Sequence, residues 1–510
     1  MLPLEFKERM MRLLGDEAED LFSHIENGQA VRAFRVNGAK ISQSEFEDRG
    51  ATIEKTKMET LENAYYTRES FPGSLPEHHS GAIYMQDPSA MATVAAVKLD
   101  VGMRVLDSCA APGGKTGQLA AAVGDSGIVI ANEYDAQRAR ILQSNVERLG
   151  LKNTVVLNLD TAVLRDTYPE FFDLVVCDAP CSGEGMFRKN ERAIEEWSLQ
   201  NVEMCAERQR EILANVVKSV KKGGKLLYST CTFSLEENEQ NVAWLLDNYP
   251  EFELIDVSEE LKNITADGIC LENCKYDMTK TRRFYPHVSR GEGQFVTLLS
   301  KRDDGVSCAE ANTNSLAKVE KTAKKHAKSG KKENKQLLNK QNIELIELGR
   351  AFLRDNLEGE VLGELRALGD KLWLCPDIDL TPYGVIAAGV CVGEAQRGRF
   401  VPHHQLFSAC GCQFKRKLCL ENGSEVAAKY LFGEELALEG TRALLDGGTD
   451  LCGGDCYVYA DTPNGWAAVL IGGCACGGAK VSGAMAKEGA ITSGVAKNHY
   501  PKGLRNKRIG

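Results

Sequence analysis

The sequence predicts an α/β protein in which a doubly wound parallel sheet carries a small α/β domain ahead of it and an α+β region behind it. Three observations predict this. Short apolar runs at residues 104–107, 128–132, 155–159, 174–177 and 225–228 alternate with helical spacing, the rhythm of strand, turn and helix in a parallel sheet. Several of these runs end at residues able to do chemistry, which is where open α/β sheets gather their ligands. The chain has 510 residues, 43% of them hydrophobic, and typical domain sizes then give about two to four units, each with its own core.

Taken in order, residues 4–25 place Phe6, Met10, Leu13, Leu14, Leu21, Phe22 and Ile25 at helical spacing, and residues 31–37 alternate as a strand does. Together they form the lead-in domain, residues 1–90. Asp87 and Ser89 flank Pro88 ahead of the apolar residues 90–97, so a helix starts there with proline in its first turn. A helix over 136–149 stops at Gly150. Another, over 201–221, buries Ile212, Leu213, Val216, Val217 and Val220 and stops at Gly223 and Gly224. A strand over 295–299, after the loop Gly291-Glu292-Gly293, closes the core domain, residues 91–302. A lysine-rich linker fills 303–342. Near Ile343 a helix opens the last region, 343–510, whose glycines and short apolar runs read as one or two small α+β modules.

The formal charge of −10 and a pI near 5.5 exclude a uniformly basic coat for nucleic acid but leave room for local patches. Two are visible. Residues 318–340 carry Lys318, Lys321, Lys324, Lys325, Lys328, Lys331, Lys332 and Lys335 against Glu320 and Glu333, and read equally well as a solvated linker. Residues 497–508 contain Lys497, Lys502, Arg505, Lys507 and Arg508 and no acid. Their tyrosine, proline and glycine point to an ordered end, and we expect it to contact RNA. No apolar stretch approaches the roughly 18 to 20 residues that span a bilayer, so no membrane partner is expected. The 17 cysteines are scattered through apolar runs of a long chain, and Met1-Leu2-Pro3-Leu4 does not open a secretory signal; a reducing cytoplasm fits this usage. Cys410, Cys412, Cys452, Cys456, Cys474 and Cys476 are spaced Cys-x-Cys and Cys-x-x-x-Cys rather than in paired Cys-x-x-Cys. Buried thiols explain them, and no metal is expected.

The chemistry lies at the ends of the apolar runs. Cys109-Ala110-Ala111-Pro112-Gly113-Gly114-Lys115-Thr116 supplies a glycine turn before a helix, yet a phosphate-binding P-loop needs glycine where Cys109 stands, so ATP hydrolysis is disfavoured. Backbone N–H groups of the turn suit instead the carboxylate of an amino-acid-bearing cofactor, of which S-adenosylmethionine is one. Glu133, after the second strand, is placed for ribose hydroxyls, and Asp160, after the third, for the adenine amino group. Either acid alone reads equally well as a helix cap; three strand ends in succession favour the ligand. Cys181, in Asp178-Ala179-Pro180-Cys181-Ser182-Gly183, and Cys231, in Ser229-Thr230-Cys231-Thr232, follow the fourth and fifth strands. Carbon 5 of cytosine is a poor nucleophile until a thiolate adds at carbon 6, and a second thiol can remove the carbon-5 proton afterwards. Asp178 would hydrogen-bond the ring N3 and exocyclic amine.

These segments, with Tyr84 to Met91 and Arg283-Phe284-Tyr285-Pro286-His287, resemble the Sun-type family of RNA cytosine-C5 methyltransferases over most of residues 30–300. The resemblance implies a Rossmann-like class I methyltransferase core and S-adenosylmethionine as cofactor. It implies Cys231 as nucleophile, Cys181 as the residue that assists product release, and a cofactor site made of Cys109, Ala110, Ala111, Pro112, Gly113, Gly114, Lys115, Glu133, Asp160 and Asp178. Residues 399–404 and 497–505 are similar to bacterial members that act on 16S ribosomal RNA, where a PUA-like RNA-binding module is expected. The implied partner is ribosomal RNA or the small ribosomal subunit, bound by a monomer, with no DNA. Two other readings stay open: the same reaction on tRNA or another ribosomal site, and a non-catalytic ribosome-assembly factor, against which the retained cysteines and acids argue.

Overall fold

A computed structural model describes residues 1–49, 52–303, 331–381, 383–444, 456–459, 463–487 and 489–506. The first helical stretch is two helices, Leu4–Leu14 and Glu17–Asn27, because Gly15 between them sits at φ 59°. Strands β1 (Ala33–Val36), β2 (Thr56–Lys57), β3 (Ala64–Tyr66) and β4 (Ile83–Met85) form an antiparallel sheet in the order β2-β3-β1-β4. The two helices bury Phe6 and Phe22 against Phe187 and Trp197, so the lead-in domain is packed directly onto the loop that follows Cys181. The helix Pro88–Ala95 begins as predicted, with the Asp87 carboxylate accepting from the Ser89 N–H at 3.0 Å.

The core strands are β5 (Arg104–Asp107), β6 (Ile128–Asn132), β7 (Thr154–Leu157), β8 (Phe172–Asp178) and β9 (Val220–Thr230), all parallel. They are followed by β10 (Phe252–Ile255), β11 (Ala266–Asp267), β12 (Arg282–Phe284) and β13 (Gln294–Lys301), which add antiparallel pairs on the β9 side. Successive side chains go to opposite faces: Val105, Val129, Val156 and Leu174 join one core, Leu106, Ile130, Val155 and Val175 the other. Both faces are buried, which explains why these strands read as continuous apolar runs. The chain runs from β5 outward through β6 and β7, then returns to place β8 on the other side of β5. That reversal opens a crevice at the C-terminal ends of β5 and β8.

Helix Ala136–Leu149 has the predicted bounds, with Gly150 at φ 67° ending it. The predicted helix over 201–221 is shorter: it spans Leu199–Val216, and after one turn of 3-10 helix, β9 starts at Val220. Val220 is buried in either conformation, and Gly223 and Gly224 lie inside β9, where pairing with β8 shifts register, rather than stopping a helix. The third core strand ends at Leu157, since the Leu159 N–H turns away to the Asn132 side chain at 3.0 Å.

The lysine-rich residues 318–330 lie outside the described residues, as do the side chains of 331–340. The next helix starts at Lys331 and runs to Asn356, so the predicted linker loses its last twelve residues to it. Strands β14 (Glu364–Leu368) and β15 (Lys371–Cys375) pair in a hairpin, and then β16 (Val385–Ala388) leaves that sheet and pairs antiparallel with β7 at the edge of the core. The last region is therefore not separate from the core. Strands β17 (Val390–Gln396) and β18 (Arg399–Pro402) complete the four-stranded sheet. The final strands are β19 (Lys417–Leu420), β20 (Leu436–Ala437), β21 (Arg442–Leu444), β22 (Cys456–Tyr459), β23 (Gly465–Ile471), β24 (Cys474–Lys487) and β25 (Ala490–Asn498). They close on themselves, because β25 pairs with both β21 and β24.

The tail up to Asn506 packs against the lead-in domain. Tyr500 is buried and shares a 2.8 Å hydrogen bond with His79 Nδ1; His79 Nε2 in turn meets Asn506 Oδ1 at 2.8 Å. Arg505 donates to the Tyr500 carbonyl, and Lys507 and Arg508 lie outside the described residues. The Lys40 ammonium, donating to Ser408 Oγ at 2.9 Å and to the carbonyls of Arg148 and Ala475, joins all three regions, and burial pushes its pKa down to about 8. Cys410, Cys474 and Cys476 are buried free thiols and Cys412 is exposed. Cys452 and the Cys456 side chain fall outside the described residues, among which no group of three or more metal-binding side chains occurs. No helix among them is long and apolar enough to cross a membrane.

Candidate active site

Parallel pairing brings the ends of β8 and β9 side by side, with Asp178 opposite Ser229. Cys181 follows three residues beyond Asp178, and Cys231 two beyond Ser229. Their sulfurs are 3.0 Å apart, and the Cys231 N–H donates to Cys181 Sγ at 3.3 Å. Both thiols are free and half-buried. The hydrogen bond with Cys231, together with burial, pushes the Cys181 pKa well up, so Cys181 keeps its proton. The turn after Cys181 is held by the Gly185 N–H on the Cys231 carbonyl at 2.9 Å and by the Gly293 N–H on the Gly185 carbonyl at 3.1 Å. A Cβ at Gly185 would lie 2.4 Å from the Gly293 oxygen, which makes glycine a steric requirement there.

Asp178 is fixed on both carboxylate oxygens. Oδ1 accepts from Ser229 Oγ at 2.7 Å and Oδ2 from Lys115 Nζ at 2.8 Å. The Lys115 side chain is 8% exposed and that of Asp178 33%, so the pair presents the acid to the crevice with the cation beneath it. Lys115 is placed by the turn at the end of β5. Gly113 sits at φ 112°, and the helix Gly114–Val123 starts without a side-chain cap. Arg138 and Asn145 donate to the Ala111 and Pro112 carbonyls at 2.9 Å each, fixing the turn from the neighbouring helix. The Ala110 N–H is taken by the Asn132 carbonyl at 2.8 Å. The hydrogen bond with Cys177 and burial push the Cys109 thiol up, which leaves that residue to contribute its backbone rather than a nucleophile.

Glu133 is 5% exposed. Its Oε1 accepts from the Asp135 N–H at 3.0 Å, while Oε2 stands 3.6 Å from Arg138 and is buried with no hydrogen-bond partner. A buried carboxylate oxygen that accepts no hydrogen bond, beside an open glycine turn, fits the hydroxyl donors of a nucleoside, so the residues present suit S-adenosylmethionine. Asp160 is exposed and caps the helix Thr161–Thr167 through the Ala162 N–H at 2.8 Å; among the described residues, no hydrogen bond joins it to the other predicted site residues. The structure thus brings together Cys181 with Cys231 and Lys115 with Asp178, places Glu133 at the adjoining strand end, and leaves Asp160 at the rim.

Behind the cysteines lies a buried polar network that the sequence reading missed. Ser182 and Thr232, which follow the two cysteines, share a 2.9 Å hydrogen bond between their hydroxyls. Ser182 also reaches Glu237 through Oγ at 2.5 Å and through its N–H at 3.0 Å, and Gln209 donates to the same acid at 2.8 Å. On the other side, Thr232 Oγ1 and the Phe233 N–H both bond Glu184 Oε2 at 3.0 Å, and Trp197 bonds Oε1 at 2.9 Å. Burial raises the pKa of Glu184, and raises Glu237 to about 7. Asp107, bonded by Thr116 at 2.7 Å, is pushed by burial to about 7 as well. Further out, Arg283 and Glu239, both essentially inaccessible, form a two-pronged ion pair, and Arg283 also donates to the Phe233 carbonyl at 2.8 Å. Glu236-Glu237-Asn238-Glu239 reads in sequence as a solvated turn, yet Glu237, Asn238 and Glu239 have no exposed surface.

Known proteins resemble this chain in fold and in sequence. The crystal structure of a methyltransferase homolog protein from Pyrococcus horikoshii matches with a TM-score of 0.50 and 29% identity, over 58% of this chain and 94% of that one. NSun6 from the same organism matches with a TM-score of 0.50 over 59% of this chain and 99% of its own, at 23% identity, a likeness of fold. In sequence, the chain is 31% identical over 455 residues to the ribosomal RNA small subunit methyltransferase F of Vibrio cholerae, covering 86% of this chain and 90% of the relative. It is 35% identical over 319 residues to the protein of the same name from Erwinia tasmaniensis, 59% of this chain and 63% of that relative. A family model described as the N-terminal domain of 16S rRNA methyltransferase RsmF matches residues 2–88, and one described as 16S rRNA methyltransferase RsmB/F matches residues 94–300, the stretch that holds both cysteines, Lys115 and Asp178. Fold and sequence agree, and the chain belongs to the RsmB/F family of 16S rRNA methyltransferases.

Proposed function

We propose that this chain transfers a methyl group from S-adenosylmethionine to carbon 5 of a cytosine in small-subunit ribosomal RNA. The observation that carries the reading is the pair of cysteine sulfurs, 3.0 Å apart beside the Lys115–Asp178 pair. Two thiols at adjacent strand ends suit a reaction that needs one sulfur to make a bond to carbon and another to help break it. When bound, S-adenosylmethionine supplies an electrophilic methyl group. Residues of the glycine turn, Cys109 to Lys115, with Glu133, would hold it, and Asp160 at the rim would meet its base.

In this reading Cys231 is the nucleophile. The Cys181 S–H stabilises its thiolate, and the thiolate adds to carbon 6 of the base, moving the ring π electrons toward carbon 5. Asp178, steadied by Lys115 and Ser229, accepts from the exocyclic amine and holds the ring in place. Once Cys231 is a thioether and carbon 5 carries the transferred methyl group beside its own proton, Cys231 no longer holds the Cys181 proton. That thiol loses its proton to solvent, and the resulting thiolate takes the proton from carbon 5 as the Cys231–carbon bond breaks. A base must leave its stack to enter such a site. We assign RNA contact to residues 1–90 and to the region after 342, with a PUA-like module in the latter, and read the protein as a cytoplasmic monomer without membrane or DNA partners.

Bisulfite sequencing of ribosomal RNA from cells lacking the protein tests this. We expect one or more cytosines of the small-subunit RNA to lose protection, and purified protein with S-adenosylmethionine to restore it. Full protection in the deleted strain, or restoration on tRNA alone, would overturn the assignment.

A further inference from the structure

A cleft of about 430 Å³ separates the β2–β3 hairpin of the lead-in domain from the segment after β12. Its lining shares no residue with the glycine turn, Glu133, Asp160 or the two cysteines, so it belongs to neither the cofactor arm nor the thiol pair. Its volume is within the range of small-ligand sites. Two features of its wall call for a ligand. The Arg290 guanidinium lies over the Tyr66 ring, 3.8 Å from its centroid, and among the described residues no carboxylate stands within ion-pair distance of it. Ser89 is 2% exposed and its hydroxyl has no hydrogen-bond partner. Lys57 and Arg290 outweigh Glu59 in charge along the wall.

The cleft is tied to the reaction centre through a short chain of contacts. Asp87, which caps the helix bearing Ser89, accepts from the Glu292 N–H at 3.1 Å and from Lys189 at 2.7 Å. Glu292 also binds Arg188, and Gly293 is bonded to Gly185 in the turn after Cys181. A strand of nucleic acid entering the site therefore has this cleft beside it. A planar cation on an aromatic ring offers the flat face on which unstacked bases rest, and a buried hydroxyl offers a polar partner for a base edge.

The geometry points to this cleft as a subsite for one unpaired base of the RNA, a neighbour of the target cytosine, stacked on the Arg290–Tyr66 pair with its edge on Ser89. The inference rests on the proposed RNA substrate. It adds a second position at which the strand must be open, which selects a loop or bulge over a paired helix.

The test uses the full chain and its Tyr66→Ala, Arg290→Ala, Arg290→Lys and Ser89→Ala variants, with deproteinised small-subunit ribosomal RNA. S-adenosylmethionine titration calorimetry first shows that each is folded. In filter binding, Tyr66→Ala and Arg290→Ala should raise Kd roughly tenfold, near the low end of what losing one base–aromatic contact costs, and in methyl transfer the loss should fall on KM rather than kcat. Arg290→Lys, which keeps the charge and loses the plane, should behave like Arg290→Ala, and RNA carrying 4-thiouridine should cross-link to Tyr66. Unchanged Kd in Tyr66→Ala and Arg290→Ala, or an Arg290→Lys protein that binds like the wild type, would overturn the subsite; if the alanine variants fail to fold, Arg290→Lys and Ser89→Ala decide it. A wild-type protein whose RNA binding depends on these residues but which transfers no methyl group would overturn the proposed reaction and leave the subsite standing.

Discussion

Replacing Glu237 by glutamine isolates the electrostatics of the network behind the cysteines. Burial moves this carboxyl from 4.5 to about 7. The folded protein keeps a proton that the unfolded chain releases between those values, so stability falls as pH rises from about 4.5 to about 7 and stays lost above. The group has no exposed surface, so the whole interval counts, and it amounts to at most about 3 kcal/mol. Glutamine reproduces the protonated acid: its oxygen can accept from the Ser182 N–H and Gln209, as Oε2 does, while its NH₂ donates to Ser182 Oγ. Glu237→Gln should match the wild type near pH 4 and exceed it by up to about 3 kcal/mol near pH 8. Asp107 shifts in the same direction, but it is present in both proteins and cancels from the difference. Urea unfolding followed by tryptophan fluorescence measures the gap across pH, since Trp197 is bonded to Glu184 in the same network. A gap that stays closed at pH 8, or opens in favour of the wild type, would show that Glu237 is ionised in the fold and stabilised by its donors.

Other outcomes follow from the same geometry. Cys231→Ala should abolish both methyl transfer and the covalent adduct, while Cys181→Ala should accumulate a protein–RNA adduct that survives a denaturing gel; the opposite pattern would exchange the two roles. Glu133→Ala removes an acceptor left free of hydrogen bonds and should weaken S-adenosylmethionine binding in calorimetry by roughly 10- to 100-fold, the cost of hydrogen bonds to a charged group. Glu239→Gln leaves the Arg283 guanidinium buried and unpaired, which should destabilise the core by about 3 to 5 kcal/mol in urea unfolding. It should also lower activity, because Arg283 anchors the Phe233 carbonyl in the segment after Cys231.

The core strands and the glycine turn were legible because burial on both faces produces apolar runs and a cap-less helix start demands glycine; β5, β6 and the helix Ala136–Leu149 have their predicted bounds. The cysteines were legible as residues, and their meeting at 3.0 Å follows from parallel pairing of β8 with β9. Glu184, Glu237 and Glu239 were not. A buried acid satisfied by a distant serine, glutamine or arginine leaves no periodic trace, and the run of acids around Glu237 looks solvated until the partners arrive from residues 182, 209 and 283. The helix over 201–221 was overextended because valines at 216, 217 and 220 suit a helix face and a strand equally. The pairing of β16 with β7 was invisible for a related reason: a four-residue strand separated from its partner by more than two hundred residues carries no local mark of its destination.

That late strand sets an order of assembly. Until Val385–Ala388 has emerged, β7 is an open sheet edge, with unpaired backbone groups able to recruit strands from other chains. At ordinary rates of synthesis, the interval from Leu157 to Ala388 lasts on the order of tens of seconds. A nascent chain therefore holds a nearly complete catalytic sheet, with both cysteines already made, while one flank stays unsealed. Chaperone capture in that window, and aggregation of chains truncated before residue 385, are the behaviours this connectivity imposes on the cell that makes it.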